Sequence, residues 1–272
     1  MPNSTPLRLM LVGCGKMGTA MLQGWLDRAL IEKAYIIDPN DIPPSLTHDP
    51  KVHHITDLSK VDFSKLDMMI LAIKPQIMSD ICKNIAPHTP ENLPILSIAA
   101  GQSLDKIGKY FKENQPVIRA MPNTPAAIGK GITAAITNHS VSHETKRKAE
   151  AILRGSGDLL WLDNEPLMDS VTALSGSGPA YVFYLIEVMA SAGENIGLPK
   201  DQAMQLARQT VIGAAALAEI DTSTLACTLR EKVTSPNGTT QAALDVLMDG
   251  RLQAMFDEAL RAAKARSVEL SQ

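Results

Sequence analysis

The chain has 272 residues, with 26 Lys plus Arg against 29 Asp plus Glu and a formal charge of −3. Apolar residues make up 45% and aromatics 4%, enough to bury one large or two modest globular cores. The clustered basic charge of a nucleic-acid or anionic-membrane binder is missing, as are the aromatic platforms of a single-strand binder. No run approaches the roughly 18 apolar residues of a membrane span.

Three distant cysteines, Cys14, Cys82 and Cys227, provide neither a disulfide framework nor metal-ligand spacing and fit a reducing, cytoplasmic setting. Leu11-Val12-Gly13-Cys14 looks like a lipoprotein cleavage site, but Leu9–Val12 is too short for a signal core of about 7–15 residues.

From the start to about residue 163, short apolar runs alternate with amphipathic stretches. The runs are Leu7–Val12, Ala34–Ile37, Met68–Ile73, Ile95–Ala99 and Val117–Ala120, each closed by a turn residue. Continuous apolar runs predict strands buried on both faces, as in a parallel sheet with helices outside. Gly131–Thr137 and Asp158–Leu162, around a helical stretch at Ser142–Leu153, extend the same sheet.

Past residue 163 the pattern becomes wholly helical: Glu165–Leu174, Ala180–Asn195, Asp201–Glu219, Leu225–Val233, Thr239–Met248 and Gln253–Glu269. Pro199 opens one of these helices and Gly197 closes another. The expectation is a Rossmann-like α/β dinucleotide-binding domain over 1–163 and an all-α dimerisation and substrate domain over 164–272.

Gly13-Cys14-Gly15-Lys16-Met17-Gly18 joins the first strand to a helix over Lys16–Ala29. Glycines there make a tight turn and let the backbone approach a pyrophosphate, and the helix N-terminus offers free N–H groups. Asp38 lies 20 residues past Gly18, at the end of the second strand, where an acid holds a ribose 2′-hydroxyl. Its carboxylate repels a 2′-phosphate, and no Arg follows it in Pro39–Pro43, so the local chemistry leans to NADH over NADPH.

Ala72, Lys74 and Pro75, and Ala99, Ala100 and Gly101, end two further strands where ligands of open α/β sheets lie. They also read as a solvated lysine and a helix-entry turn. Met121-Pro122-Asn123-Thr124-Pro125 is stiffened by its prolines. Asn123 there serves either a nicotinamide carboxamide or an Asx turn.

In Leu174-Ser175-Gly176-Ser177-Gly178-Pro179, Ser177 caps a helix, lies beside a ligand, or both. In Val233–Thr240, the hydroxyls of Ser235, Thr239 and Thr240 with the bare backbone of Gly238 exceed the one hydroxyl that a helix cap needs. They predict a carboxylate pocket. No metal constellation is visible, and the six histidines all fall within residues 1–163, none in the helical region.

Taken together, GCGKMG, LAIKPQ, IAAGQS, RAMPNTP, TALSGSGPAYVF and LREKVTSPNGTT resemble the pyrroline-5-carboxylate reductase family over about residues 8–248. The resemblance implies NAD(P)H-dependent reduction of a cyclic imine carrying a carboxylate to proline. It also implies a homodimer, or an assembly of dimers, with its active site in a dimer-built cleft. Ser235 and the backbone of Asn237, Gly238 and Thr239 then hold the carboxylate, and Thr240 meets the ring nitrogen.

Asn237 stands where the family commonly has Gly, which calls for a left-handed Asn. Asp38 stands where NADPH-using members often have small or basic residues. Two rival readings are a β-hydroxyacid-dehydrogenase-like oxidoreductase, which needs a lysine absent from Pro179–Asn195, and a non-catalytic dinucleotide-binding sensor, which has no use for Ser235–Thr240.

Overall fold

A computed structural model describes residues 5–271. Contacts divide the chain into two compact units. The first runs to Ser177 and takes in the residues from Ala263 on; the second is Gly178–Ala262. The change from mixed to helical structure near residue 163 therefore falls ahead of the division between units.

The first unit carries an eight-stranded sheet of order β3-β2-β1-β4-β5-β6-β7-β8. The strands are β1 (Leu7–Val12), β2 (Ile31–Ile37), β3 (Val52–His54), β4 (Met68–Leu71), β5 (Ile95–Ser97), β6 (Val117–Met121), β7 (Gly131–Thr137) and β8 (Gly157–Trp161). β1 pairs in parallel with β2 on one side (Leu11 opposite Ile36) and with β4 on the other (Leu9 opposite Met68).

The fully parallel sheet expected from the apolar runs is broken once. β7 returns antiparallel to β6, with Met121 opposite Ala134, because only the short segment Pro122–Lys130 joins them and a parallel crossover needs a dozen residues or more. β3 escaped the sequence reading because three residues carry too little periodicity.

Side chains of β1 alternate between two cores. Leu9 and Leu11 pack with Met21, Leu22 and Trp25 of α1 (Lys16–Asp27). Met10 and Val12 pack with Met78, Cys82 and Ile85 of α3 (Pro75–Ile85). A short α2 (Pro44–Thr47) precedes β3, and α4 (Leu104–Gly108) follows β5. The buried Trp25 indole donates to the Ile152 carbonyl at 2.9 Å, tying α1 to α5 (His143–Arg154). α1 stops short of its expected end because Ala29 turns left-handed at φ 52°.

α6 (Leu167–Val171) leads into a π turn, Thr172–Gly176, and then α7 (Gly178–Asn195). The second unit continues with α8 (Lys200–Ile220), α9 (Ala226–Lys232), α10 (Thr239–Leu247) and α11 (Arg251–Leu270), whose last turns belong to the first unit. Gly197, at φ 103°, closes α7 as expected, and Pro199 opens α8. No described helix is long and apolar enough to cross a membrane.

Candidate active site

The sheet order reverses between β1 and β4, and in open α/β sheets the crevice beyond such strand ends takes the ligand. The glycine-rich turn sits there. Gly13 donates to Ile37 O at 2.7 Å and has φ 90°; a Cβ on it would stand 2.6 Å from Ala72 O. Gly15 is the N-cap of α1, and a Cβ there would meet nothing within 4 Å. No side chain caps α1 and no acid lies in its first turn. Its first N–H groups and Lys16 thus face open space suited to an anion. That open cradle fits a dinucleotide pyrophosphate.

Two cavities meet at this turn. One of about 300 Å³ is lined by Gly15, Lys16 and Met17, by Ala72, Ile73 and Lys74 after β4, by Ile98, Ala99 and Ala100 after β5, and by Met121 and Pro122. The other, of about 570 Å³, shares Gly15–Met17, adds Cys14 and reaches Asp41, Pro43, Thr124 and Ala127. β4 and β5 end two residues before their apolar runs do, which frees 72–74 and 98–101 as lining loops. Pro75 starts α3 behind this wall.

Met121, Pro122, Thr124 and Asp41 were missed as lining residues. The first three lie in a proline-stiffened motif that the sequence did mark, but which of its side chains face the cavities is decided by the fold.

Asp38 does not line either cavity. One of its oxygens accepts from Cys14 N at 2.6 Å; the other accepts from Asn40 N at 2.9 Å and Asn40 Nδ2 at 3.1 Å. Burial by itself would raise its pKa. The hydrogen bonds from Cys14 and Asn40, with the nearby His54, outweigh burial and hold the carboxyl below its usual value. An ionised carboxylate accepts about four bonds, so capacity for a ribose hydroxyl remains.

Burial pushes the Cys14 thiol up against a weaker lowering by Thr19. The Thr19 hydroxyl donates to Cys14 O at 2.9 Å and braces the turn.

Asn123 is hydrogen-bonded to the protein itself. Its oxygen accepts from Ile132 N at 2.9 Å, and its amide donates to Ser175 O at 3.3 Å and Ser175 Oγ at 3.4 Å. The side chain thereby staples the Met121–Pro125 loop to β7 and to the π turn. A Cβ on Gly176 would stand 2.7 Å from Met121 Cε, so the two motifs pack directly together. Ser177 does not cap a helix. Its N–H closes the π turn by donating to Thr172 O at 2.9 Å.

In the second unit, Val233–Gly238 joins α9 to α10. Asn237 is left-handed at φ 57°, as its place in the turn requires. Gly238 is the N-cap of α10, with no side-chain cap bond. Among the described residues, the hydroxyls of Ser235, Thr239 and Thr240 are thus not consumed by capping. Ser235 and Thr239 are exposed and Thr240, in the first turn, is half-buried.

A glycine-rich turn opening a helix at the reversal point of a largely parallel sheet, followed by a helical unit, defines a nicotinamide-dinucleotide oxidoreductase. Residues 8–101 match the family described as NADP oxidoreductase coenzyme F420-dependent, and residues 165–270 match pyrroline-5-carboxylate reductase dimerisation.

A pyrroline-5-carboxylate reductase of Pseudomonas aeruginosa is 36% identical over 99% of this chain and 98% of its own length. The structure of one from Coxiella burnetii superposes with a TM-score of 0.90 at 32% identity, covering 98% of this chain and 100% of that one. A Plasmodium falciparum pyrroline carboxylate reductase, crystallised with NADP bound, gives 0.82 at 25% identity, covering 99% of this chain and 100% of that one. The chain belongs to the pyrroline-5-carboxylate reductase family.

Proposed function

We infer that this protein reduces 1-pyrroline-5-carboxylate to L-proline with NAD(P)H. The dinucleotide, when bound, supplies the hydride that the C=N carbon accepts. The turn Gly13–Gly18 and the loops at Ala72–Pro75 and Ala99–Gly101 hold and orient it. The observation that carries the substrate reading is the set of hydroxyls at Ser235, Thr239 and Thr240, unused by the cap of α10 and set at a helix N-terminus.

Ser235 and the backbone at Asn237–Thr239 bind the carboxylate. The Thr240 hydroxyl bonds the ring nitrogen and relays a proton to it, because a protonated imine is the electrophile. Such a reaction asks for orientation and a proton path rather than a strong base. The second unit pairs with a second copy, and the cleft so built is the active site. The cytoplasm, with its pool of reduced nicotinamides and free thiols, is the working compartment. Membership of the family sets aside both the hydroxyacid-dehydrogenase and the sensor readings.

Steady-state kinetics on two variants tests the assignment. Thr240→Val keeps shape and β-branching and is expected to lower kcat by about 100-fold, the low end for a positioned proton-transfer group, with KM little changed. Ser235→Ala touches a carboxylate that does not change during reaction, so KM for the imine rises with kcat nearly kept. The reverse pattern exchanges the two roles. No change in either variant places the substrate elsewhere.

A further inference from the structure

We propose that the end of α11 is a positioning element for the cofactor crevice, with Lys106 and Ser267 as its positioning residues. This rests on the reading of Ala99–Gly101 as a cofactor loop. Ala99 and Ala100 line the crevice, and the next residue, Gly101, backs onto the end of α11. Gly101 is buried at φ 71°, and a Cβ there would stand 3.0 Å from Leu270 O.

Five residues on, the Lys106 ammonium donates to Ser271 O. A cation on a last carbonyl satisfies an orphan acceptor and opposes the negative end of the helix dipole. The Ser271 hydroxyl donates to Ser267 O at 2.8 Å, and the buried Ser267 donates to Asp169 Oδ1 at 2.7 Å, fixing α11 to α6.

The far end of the same loop is held separately. Ser103 caps α4 by accepting from Lys106 N at 3.2 Å. Glu165 accepts from Leu104 N and from the buried Arg119, both at 2.8 Å. Beyond Ser97, Ile98 N still donates to Leu71 O at 3.0 Å and Ala99 N donates to Ser97 Oγ at 3.3 Å. The backbone shape at Ala99–Ala100 is thus set on one side by β5 and these bonds, and on the other by Glu165 and by the end of α11 at Gly101. α11 begins in the unit that matches the dimerisation family and ends on this loop.

The experiment uses the full chain with Lys106→Met, Ser267→Ala and the conservative Lys106→Arg. Fluorescence titration gives Kd for NADH and NADPH. Kinetics give KM for cofactor and for imine, and light scattering and thermal melting check assembly and fold. Lys106→Met and Ser267→Ala are expected to raise cofactor Kd and KM about tenfold, the scale of a loosened binding loop. KM for the imine should hold, and Lys106→Arg should restore the cofactor values.

A lower melting midpoint with Kd within about twofold of the parent in both variants reduces the tether to a helix cap and overturns the inference. Should Lys106→Met fail to fold, Ser267→Ala decides alone. A parent protein that binds neither dinucleotide overturns the cofactor-site reading itself. A parent that binds normally, with unaltered variants, overturns only the role of α11.

Discussion

Asp38 links the glycine-rich turn to the residues that follow β2, since its two oxygens are shared between Cys14 and Asn40. Replacing it with Ala therefore slackens the turn as well as removing charge. Asp38→Asn is the cleaner change, because it keeps an acceptor. It is expected to raise kcat/KM for NADPH relative to NADH by about fivefold to tenfold, for a repulsion on the order of 1 kcal/mol in a partly exposed site. An unmoved ratio would separate Asp38 from the adenosine ribose.

The same carboxyl fixes a pH dependence. Its folded pKa lies below the ordinary 3.8, so what it contributes is complete above that value and is lost as pH falls through the lower, folded one. Cofactor Kd measured downward from neutrality should stay flat with respect to this group down through pH 3.8 and weaken only below it. Asn237 offers a second single-residue test. Asn237→Gly suits its left-handed backbone, whereas Asn237→Ala costs about 1 kcal/mol there, so KM for the imine should rise only in the second.

Among elements, α1 shows close packing overriding propensity. Ala exceeds Gly by about 1 kcal/mol in a helix interior, so Gly24→Ala would stabilise an isolated α1. In the fold, a Cβ on Gly24 would stand 2.6 Å from the Gly155 carbonyl, and backbone does not yield as a side-chain tip does. Overpacking of this kind costs about 1–3 kcal/mol. Thermal unfolding of Gly24→Ala should therefore show a midpoint a few degrees lower; a raised midpoint would mean that α1 and the Gly155 turn separate easily.

The Met121–Pro125 loop makes a related point. Its prolines announce rigidity, and the fold adds the π turn beside it. The π turn reads in sequence as a Ser-Gly break, because a π turn has no periodicity of its own to detect.

For the whole molecule, apolar residues left open on the second unit set the assembly. Phe183 is 62% exposed, Leu217 63% and Met255 62% in the single chain, far more apolar surface than a monomer keeps. The family match over 165–270 names dimerisation, and this chain self-associates. Light scattering at micromolar concentration should give at least twice 29.3 kDa. A monomer with full activity would remove the shared cleft.

What the residues determined by themselves is local or pairwise in sequence. The glycine-rich turn with Asp38 at its fixed distance, the apolar runs of the buried strands, the hydroxyl-rich loop before α10 and the left-handed Asn237 all announce their chemistry through short-range rules of backbone sterics and helix ends. The tertiary structure alone decided what depends on distant segments meeting. Examples are the antiparallel return of β7, the capture of Asn123 by Ser175 and Ile132, the sharing of Asp38 between Cys14 and Asn40, and the end of α11 behind Gly101. Each is a hydrogen bond or contact whose partner lies anywhere from 2 to 169 positions away along the chain, and beyond the first turn no local periodicity encodes which partner that will be.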